Sequence, residues 1–267
     1  MASNTLWFVK LQKPKSGNVE VYWANAKEGY ADYPGYGVTP VKADDANDGI
    51  WTVDKGNAYF LKFRHTGTNS VEVHRLPGPA YSEFDLQSGS RFPADDAQYG
   101  TFTIDNGNLY YIRTRLISPK HDFIKVYMAS AANKFQTLDE ERVTKIRFRQ
   151  DASDVYTIRG GDLYVIRTKN TREGRAEVHC VRRDSDGTPD EYMSWLPADA
   201  HNGIYDIASN GDLYFMKIKN TKGDKVEVFI ATKSSNYRDI PPNTPYFTAF
   251  SIDDGPKGWW SIKDGGA

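Results

Sequence analysis

One strand-rich unit of about fifty residues occurs five times along this sequence, and this repetition limits the fold more than any other feature. Each unit opens with a turn residue and then an aromatic side chain within an alternating run. The five copies are GIWTV from Gly49, GTFTI from Gly100, DVYTI from Asp154, GIYDI from Gly203 and GWWSI from Gly258. Repeats of this period are typical of β-propellers and solenoids, in which each unit packs against the next.

Three further strand signals follow in every unit. The second strand begins after a tight polar turn that suits a hairpin, near Gly56, Gly107, Gly161, Gly211 and Asn4. The third strand alternates with a period of two, from Val71, Ile124, Ala176, Val226 and Val19. A fourth, less regular segment begins near Tyr30, Tyr81, Phe135, Tyr192 and Tyr237. Four strands per unit is the number in a propeller blade.

The fifth unit is divided between the two ends of the chain. Its first strand, GWWSI, lies near the C-terminus, whereas the strands that should follow it begin at Asn4. Pairing of these segments would close the ring and cover two sheet edges. We therefore predict an all-β fold, a five-bladed β-propeller of four-stranded antiparallel blades, closed by pairing of the N- and C-terminal segments. The chain, residues 1–267, is predicted to form a single propeller domain.

The charge balance argues for an uncharged partner. Lys plus Arg number 34 and Asp plus Glu 35, so no overall attraction to nucleic acid or to an anionic membrane is expected. No run approaches the roughly twenty apolar residues that span a bilayer, so we expect no membrane insertion. The single cysteine, Cys180, excludes an intramolecular disulfide. The N-terminal segment does not resemble a secretory signal, and we expect a protein that is cytoplasmic or released without a signal peptide.

An acidic loop precedes the first strand of every unit, and one Asp recurs in it. We place this residue at Asp45, Asp96, Asp151, Asp199 and Asp254. One interpretation is structural, because Asp commonly accepts hydrogen bonds from nearby backbone amides in turns. The other is a repeated ligand site: a carboxylate accepting two hydroxyl hydrogen bonds beside an aromatic ring suits a neutral carbohydrate. Loops on a rigid scaffold are a usual place for such groups.

Rings and bases recur beside these loops. The first-strand aromatics Trp51, Tyr205 and Trp260 are candidate stacking platforms, although their place within strands equally favours the core. A ring also recurs late in every third strand, and His74 and His179 at this position are candidate ligand-binding residues. Phe229 occupies the equivalent position in another unit, which argues against metal ligation. The residues ending the second strands either donate to a ligand or pair with a carboxylate, and they are Lys10, Lys62, Arg113, Arg167 and Lys217.

The third strands also share an acidic residue. It recurs as Glu20, Glu72, Glu177 and Glu227, whereas Lys125 replaces it in one unit. We interpret it as a solvated or cross-strand-paired side chain. No nucleotide-binding or hydrolase motif is present. We therefore predict no catalytic residues, no metal, no cofactor and no enzymatic activity.

The segments NGDLYFMKIKNTKGDKVEVFIA from Asn210 and GGDLYVIRTKNTREGRAEVHCV from Gly160 resemble tandem-repeat β-propeller lectins, of the fungal fruiting-body and five-bladed tachylectin type. The resemblance extends more loosely over nearly the whole chain. It implies up to five small sugar pockets, ligands of the N-acetylglucosamine or N-acetylgalactosamine kind, glycans or glycoproteins as partners, and a role in recognition or defence. Because Asp154 replaces a shared Gly and Lys125 a shared Glu, we expect some sites to be degenerate.

Two other functions compete with a multivalent lectin. A protein-interaction scaffold needs no chemical motif and would use the propeller faces. A five-bladed glycoside hydrolase would use two carboxylates across one central pocket, and these would be unique to particular blades. The acidic loops are instead shared by all units, and weak repeated sites raise avidity for clustered glycans. The sequence therefore favours the lectin.

Overall fold

The computed structural model describes residues 4–32, 35–115, 123–147, 149, 154–240 and 244–264. Within these ranges, twenty strands form five antiparallel four-stranded sheets. The innermost strands contact one another in sequence around a ring, so each sheet is a blade of a five-bladed β-propeller. The predicted fold class is confirmed.

The strands of each blade are named here from the central axis outwards. Blade A contains β20 (Gly258–Asp264), β1 (Asn4–Lys10), β2 (Asn18–Asn25) and β3 (Gly35–Lys42). Blade B contains β4 (Gly49–Asp54), β5 (Asn57–Lys62), β6 (Ser70–Leu76) and β7 (Leu86–Pro93). Blade C contains β8 (Gly100–Asp105), β9 (Asn108–Arg113), β10 (Phe123–Ala129) and β11 (Glu140–Arg147). Blade D contains β12 (Val155–Arg159), β13 (Asp162–Arg167), β14 (Arg175–Val181) and β15 (Asp190–Pro197). Blade E contains β16 (Gly203–Ile207), β17 (Leu213–Lys217), β18 (Lys225–Ala231) and β19 (Tyr246–Ser251).

Blade A is assembled from both ends of the chain. β20 pairs antiparallel with β1 from Asn4 opposite Asp264 to Lys10 opposite Gly258, with Phe8 opposite Trp260. This pairing gives the N-terminal segment its innermost strand and leaves no open edge on β1. The predicted closure of the ring is therefore confirmed.

Aromatic side chains fill the space between neighbouring blades. The second-strand rings are all buried, and they are Trp7, Tyr59, Tyr110, Tyr164 and Tyr214. Because each sheet packs on both faces, alternate residues of one strand are buried against different neighbours. The interblade packing inferred from the repeat is present in all five blades.

The aromatics assigned to the start of the fourth segment have another role in four blades. Tyr30, Tyr81, Phe135 and Tyr237 lie in the loop before the fourth strand, have positive φ and are buried. The Tyr81 and Tyr237 hydroxyls donate to the carbonyls of Gly56 and Gly211 in the inner hairpins of their own blades. In blades B and E these hydroxyls therefore fasten the loop before the fourth strand to the inner hairpin.

Blade D departs from this arrangement. Its loop from Arg182 to Thr188 has no such ring, and Tyr192 lies within β15 itself. The fourth segments thus begin near these aromatics, and the strands within them start after the ring in four blades and just before Tyr192 in blade D. No helix among the described residues is long and apolar enough to cross a membrane.

Candidate functional site

The acidic loops are anchored to the second strand of the blade that follows them. Three of them form 3-10 turns, at Ala43–Asp48, Ala94–Gln98 and Ile252–Lys257. The carbonyl of Lys257 accepts the backbone N–H groups of Leu11 and Gln12, just beyond β1. Asp48 and Tyr99 do the same for the residues just beyond β5 and β9. This anchoring brings the loop carboxylate beside the base that ends the second strand.

The clearest loop–base contact is in blade A, where Asp254 Oδ1 lies 3.2 Å from Lys10 Nζ. In blade C, burial raises the pKa of Asp96, and the nearby Arg113 opposes that rise. Asp199 instead accepts hydrogen bonds from its own loop, at 2.9 and 3.0 Å from Asn202 Nδ2.

Two of the recurrent loop aspartates remain. Asp45 is exposed, and Asp151 lies outside the described residues. The bases are all half-buried, and they are Lys10, Lys62, Arg113, Arg167 and Lys217.

The shared third-strand glutamate is a loop anchor, so its assignment as a solvated or cross-strand-paired residue was wrong. Glu20 accepts the backbone N–H of Ser16 at 3.0 Å, and Glu227 that of Lys222 at 2.6 Å. Glu72 and Glu177 accept the N–H groups of Gly67 and Arg172 in the same way. The side chain is therefore needed to shape the loop between the second and third strands.

The same glutamate orients the recurrent ring. The Tyr22 hydroxyl donates to Glu20 at 2.7 Å. Burial acts to raise the pKa of Glu20, but the hydrogen bonds from Tyr22 and Ser16 outweigh it and keep that pKa below its usual value. Burial and the adjacent Glu20 raise the pKa of Tyr22, so its phenol stays protonated at neutral pH. Glu20 is the acceptor and Tyr22 the donor of a fixed pair.

A column of four stacked rings crosses blade A from the core to the surface, with one ring on each strand. Centroids are 4.2 Å apart for Trp260 and Phe8, 5.9 Å for Phe8 and Tyr22, and 5.3 Å for Tyr22 and Tyr36. Trp260 is 2 % exposed and Tyr36 is 57 % exposed. The column therefore ends in an aromatic face open to solvent.

A cavity of about 400 Å³ opens beside this column, at the boundary of blades E and A. Blade A contributes Lys10, Glu20, Tyr22 and Tyr36 to its wall. The opposite wall includes Ala249 of β19 and Asp254 of the acidic loop. A carboxylate, an ammonium group, a phenol and stacked aromatic faces thus converge on one concave surface, which we call the E–A pocket.

The first-strand aromatics that we predicted as stacking platforms are buried. This holds for Trp260 in blade A and also for the two that lie in other blades. Trp51 and Tyr205 are 2 % and 1 % exposed, stacked on Phe60 and Phe215 at 4.8 and 4.6 Å. Trp260 holds the same position in blade A. Stacking of a ligand on any of the three would require neighbouring blades to separate.

The two histidine candidates have different surroundings. His74 in blade B is half-buried between Phe60 and Phe84, and its Nε2 lies 3.2 Å from Glu72. His179 in blade D is 2 % exposed and lies between Glu177 and Glu191. Burial lowers the pKa of both imidazoles. Of the two, only His74 has a partly open ring.

The sequence did not identify Tyr36, Ala249 or Lys15 as parts of this wall. The signal for Tyr36 was available, since it pairs with Tyr22 across β2 and β3. The irregular fourth strand obscured that register. Among the described residues, no group of three His, Cys, Asp or Glu side chains is placed to hold a metal ion.

Comparisons with known proteins find similar solved structures but no family. No protein-family model matches the chain, and no curated protein matches it. Solved structures do match. One is a puromycin-hydrolysing peptidase from Mycobacterium tuberculosis, with 14 % identity and a TM-score of 0.38 over 91 % of this chain. The chain spans 38 % of the length of that peptidase.

Two further solved structures match the chain. A protein assigned as a 6-phosphogluconolactonase from Bacteroides uniformis has 9 % identity and a TM-score of 0.43, covering 93 % of this chain and 82 % of its own. An exo-β-1,3-galactanase from Clostridium thermocellum has 10 % identity and a TM-score of 0.44, covering 97 % and 59 %. At these values the likeness carries no argument about a substrate.

The names of these matches correct one expectation. We predicted that the chain is not an enzyme, because it lacks catalytic motifs. The proteins that it is similar to are a peptidase, a lactonase and a galactanase by name, so that prediction is wrong as an inference from the fold. The propeller scaffold leaves catalysis open.

Proposed function

We propose that this protein is a multivalent carbohydrate-binding propeller whose best-formed sugar site is the E–A pocket. The observation that carries the proposal is the meeting of Tyr36, at the exposed end of a ring column, with the Asp254–Lys10 ion pair in one cavity. A sugar has an apolar face that stacks on an aromatic ring and hydroxyls that bond to charged groups. Both needs are met there.

The wall of the pocket favours a neutral sugar of the N-acetylhexosamine kind. Asp254 is 27 % exposed in its side chain and can accept sugar hydroxyls, while Lys10 can donate to ring or amide oxygens. Ala249 offers a small apolar contact for an acetyl methyl group. The wall carries three lysines, Lys10, Lys15 and Lys225, against two carboxylates, Glu20 and Asp254, so its charge is nearly balanced and a neutral ligand is favoured.

The other blade boundaries carry partial versions of this arrangement, which is why we propose several unequal sites. The residue facing the ring position across the outer strand pair is Tyr36 in blade A, Gln87 in blade B, Glu141 in blade C and Glu191 in blade D. A polar residue there can bond to a hydroxyl but cannot stack. Several weak sites on a rigid ring would act together on clustered glycans.

A glycan array with competition by free N-acetylglucosamine tests this function. Tyr36→Ala should lower the affinity roughly tenfold, because it removes the exposed stacking face. Gln87→Ala is the matched control, since it alters the equivalent position of blade B. Binding to no glycan would refute the proposal, and equal losses in the two variants would refute the assignment to the E–A pocket.

A further inference from the structure

The axis of the propeller holds a second kind of cavity, with a volume of about 350 Å³. It is lined by the inner strands of all five blades, and its wall carries Thr52, Thr103 and Thr157 in one layer. Trp259 of β20 and Val155 of β12 lie in another layer. Hydroxyls, an indole and aliphatic groups thus surround a space within the usual size of small-molecule sites.

One residue at this cavity breaks the rule that the other blades follow. The first position of the inner strand is Gly in four blades, and a Cβ there would lie 2.1 Å from the carbonyl oxygen of Leu61 for Gly49 and of Val9 for Gly258. Gly100 and Gly203 are equally crowded. Blade D has Asp154 at this position.

The local consequence is a strand that starts one residue later. Gly258 pairs with Lys10 in blade A, whereas in blade D the first pair is Val155 with Ile166. Asp154 is therefore released from the sheet, and it joins the wall of the axial cavity.

The Asp154 carboxylate is buried near the Tyr156 hydroxyl and the charges of Arg167 and Arg149, and one of its oxygens is left without a partner within the described ranges. Its side chain is 2 % exposed, and its Oδ1 has no hydrogen-bond partner among the described residues. Its Oδ2 lies 3.8 Å from Arg167 Nε, beyond hydrogen-bond distance. A buried polar atom without a partner is rare in folded proteins and points to a missing water, ion or ligand.

Asp206 is the other carboxylate of the cavity that occurs in one blade only, and both of its oxygens already have hydrogen-bond partners. Asp206 stands where the other blades have Thr or Ser, and its Oδ1 is bonded to Arg159 at 2.7 Å and to the Ile207 N–H at 2.8 Å. Its Oδ2 accepts from Ser261 and from the Ile262 N–H. Asp206 therefore ties blades D, E and A together, and Asp154 is the carboxylate left for a ligand.

We propose that the axial cavity binds one small neutral polyhydroxylated molecule, a single sugar residue or a polyol, through hydrogen bonds to Asp154 and contact with Trp259. A neutral ligand fits because Arg167 lies beside Asp154, and Arg159 and Asp206 already form an ion pair in the wall. Hydroxyl groups would donate to Oδ1 and exchange hydrogen bonds with the threonines. This site occurs once per ring and does not depend on the E–A pocket.

The test follows the indole N–H signal of Trp259 in a ¹⁵N-labelled protein. The signal is assigned by its absence in Trp259→Phe. Glucose, galactose, N-acetylglucosamine and myo-inositol are titrated separately, and at least one should shift this signal along a saturating curve. Asp154→Gly and Asp154→Asn should weaken that curve by roughly tenfold or more, because a hydrogen bond to a charged group is lost.

Two comparisons make the result decisive. Tyr36→Ala should leave the Trp259 curve unchanged, whereas it should weaken glycan binding at the E–A pocket, so the two sites can fail separately. The glycine variant restores the residue of the other four blades, and the asparagine variant keeps the side-chain volume if the glycine rearranges the strand. A Trp259 signal that none of the four probes moves would overturn the proposal. A curve that neither Asp154 variant weakens would overturn it as well.

Discussion

Blades A and D share one repeat yet differ in both functional regions of the ring. In blade A the stacked column is complete and ends at the exposed Tyr36. In blade D, Val165 stands where the second ring of the column should be, and His179 is enclosed by carboxylates. The backbone is common to both, so single side chains decide whether the column of rings is complete.

The axis shows the reverse contrast. The inner strand of blade A begins with Gly258 and carries the buried Lys263 near its end, whereas that of blade D is preceded by Asp154 and ends with Arg159. The rings of the fourth strand of blade D, Tyr192 and Trp195, are half-buried, and the unpartnered carboxylate of this blade, Asp154, lies beside the axial cavity. The groove that recurs at each blade is therefore best formed in blade A, whereas the axial cavity, which occurs once, takes its distinctive carboxylate from blade D.

Removing the inner strand of blade A should have the largest effect. Deletion of residues 258–267 takes away Trp260 and uncovers the edge of β1. The loss of one buried Trp side chain alone costs about 3–5 kcal/mol, so cooperative thermal unfolding should disappear. Circular dichroism melting checks this. A control lacking only residues 265–267 keeps β20 and should melt like the full chain. An unchanged midpoint after the longer deletion would contradict closure by β20.

The buried lysine of blade A should make stability depend on pH. Burial, then the charge of Arg159, lowers the pKa of Lys263 from 10.5 to about 7. The unfolded chain keeps this proton up to about pH 10.5, so it binds more protons than the folded chain between pH 7 and 10.5. The free energy of unfolding should therefore rise with pH across that window.

Urea unfolding at several pH values checks the effect of Lys263. Lys263→Met should flatten the rise, because it removes the titrating group. The exposed Lys42→Met serves as the control and should keep the wild-type slope. A slope that survives in Lys263→Met would show that other groups produce it.

Returning blade D to the common pattern should stabilise the ring by about 1 kcal/mol at neutral pH, because Asp154→Gly removes an unsatisfied buried acceptor. Burial raises the pKa of Asp154, so the folded state holds a proton that the unfolded state has released. The stability that the protonated carboxyl gives the wild-type protein is lost as pH rises through this raised pKa. The difference in the free energy of unfolding between Asp154→Gly and the wild type should therefore grow over the same pH range.

The reciprocal change sharpens this comparison. Gly100→Asp in blade C should destabilise the protein, because a Cβ there lies 2.2 Å from the Ile112 carbonyl oxygen. Chemical unfolding of both variants at acidic and neutral pH gives the result. A glycine variant that is less stable at neutral pH would mean that Asp154 supports the native ring.

The smallest effect is expected from Asp96→Ala. Blade C has Glu141 opposite its ring, where blade A has Tyr36, so its groove is one of the weaker sites. The substitution should lower the apparent avidity for a multivalent glycan and leave the affinity for free N-acetylglucosamine unchanged. Surface plasmon resonance with both ligands distinguishes the two quantities. Complete loss of monosaccharide binding would place the main site in blade C.

The repeat was sufficient to predict the backbone, because the strand periods and the divided fifth unit leave one arrangement that closes. It was less informative about side chains that act across loops. Glu20 has the spacing of a surface residue on an alternating strand, yet it is 1 % exposed because the preceding loop folds over it. The register of Tyr36 depends on an irregular fourth strand. Asp154 was visible as a departure, but only the crowding at the four glycines explains its consequence.

A crystal structure of the protein with N-acetylglucosamine tests the proposed function most directly. The sugar should lie in the E–A pocket, with its apolar face on Tyr36 or Tyr22 and its hydroxyls within hydrogen-bond distance of Asp254. An empty E–A pocket in crystals whose other grooves hold the sugar would contradict the assignment of the main site. Crystals that hold no sugar at any blade boundary at a saturating concentration would contradict carbohydrate binding by the blades.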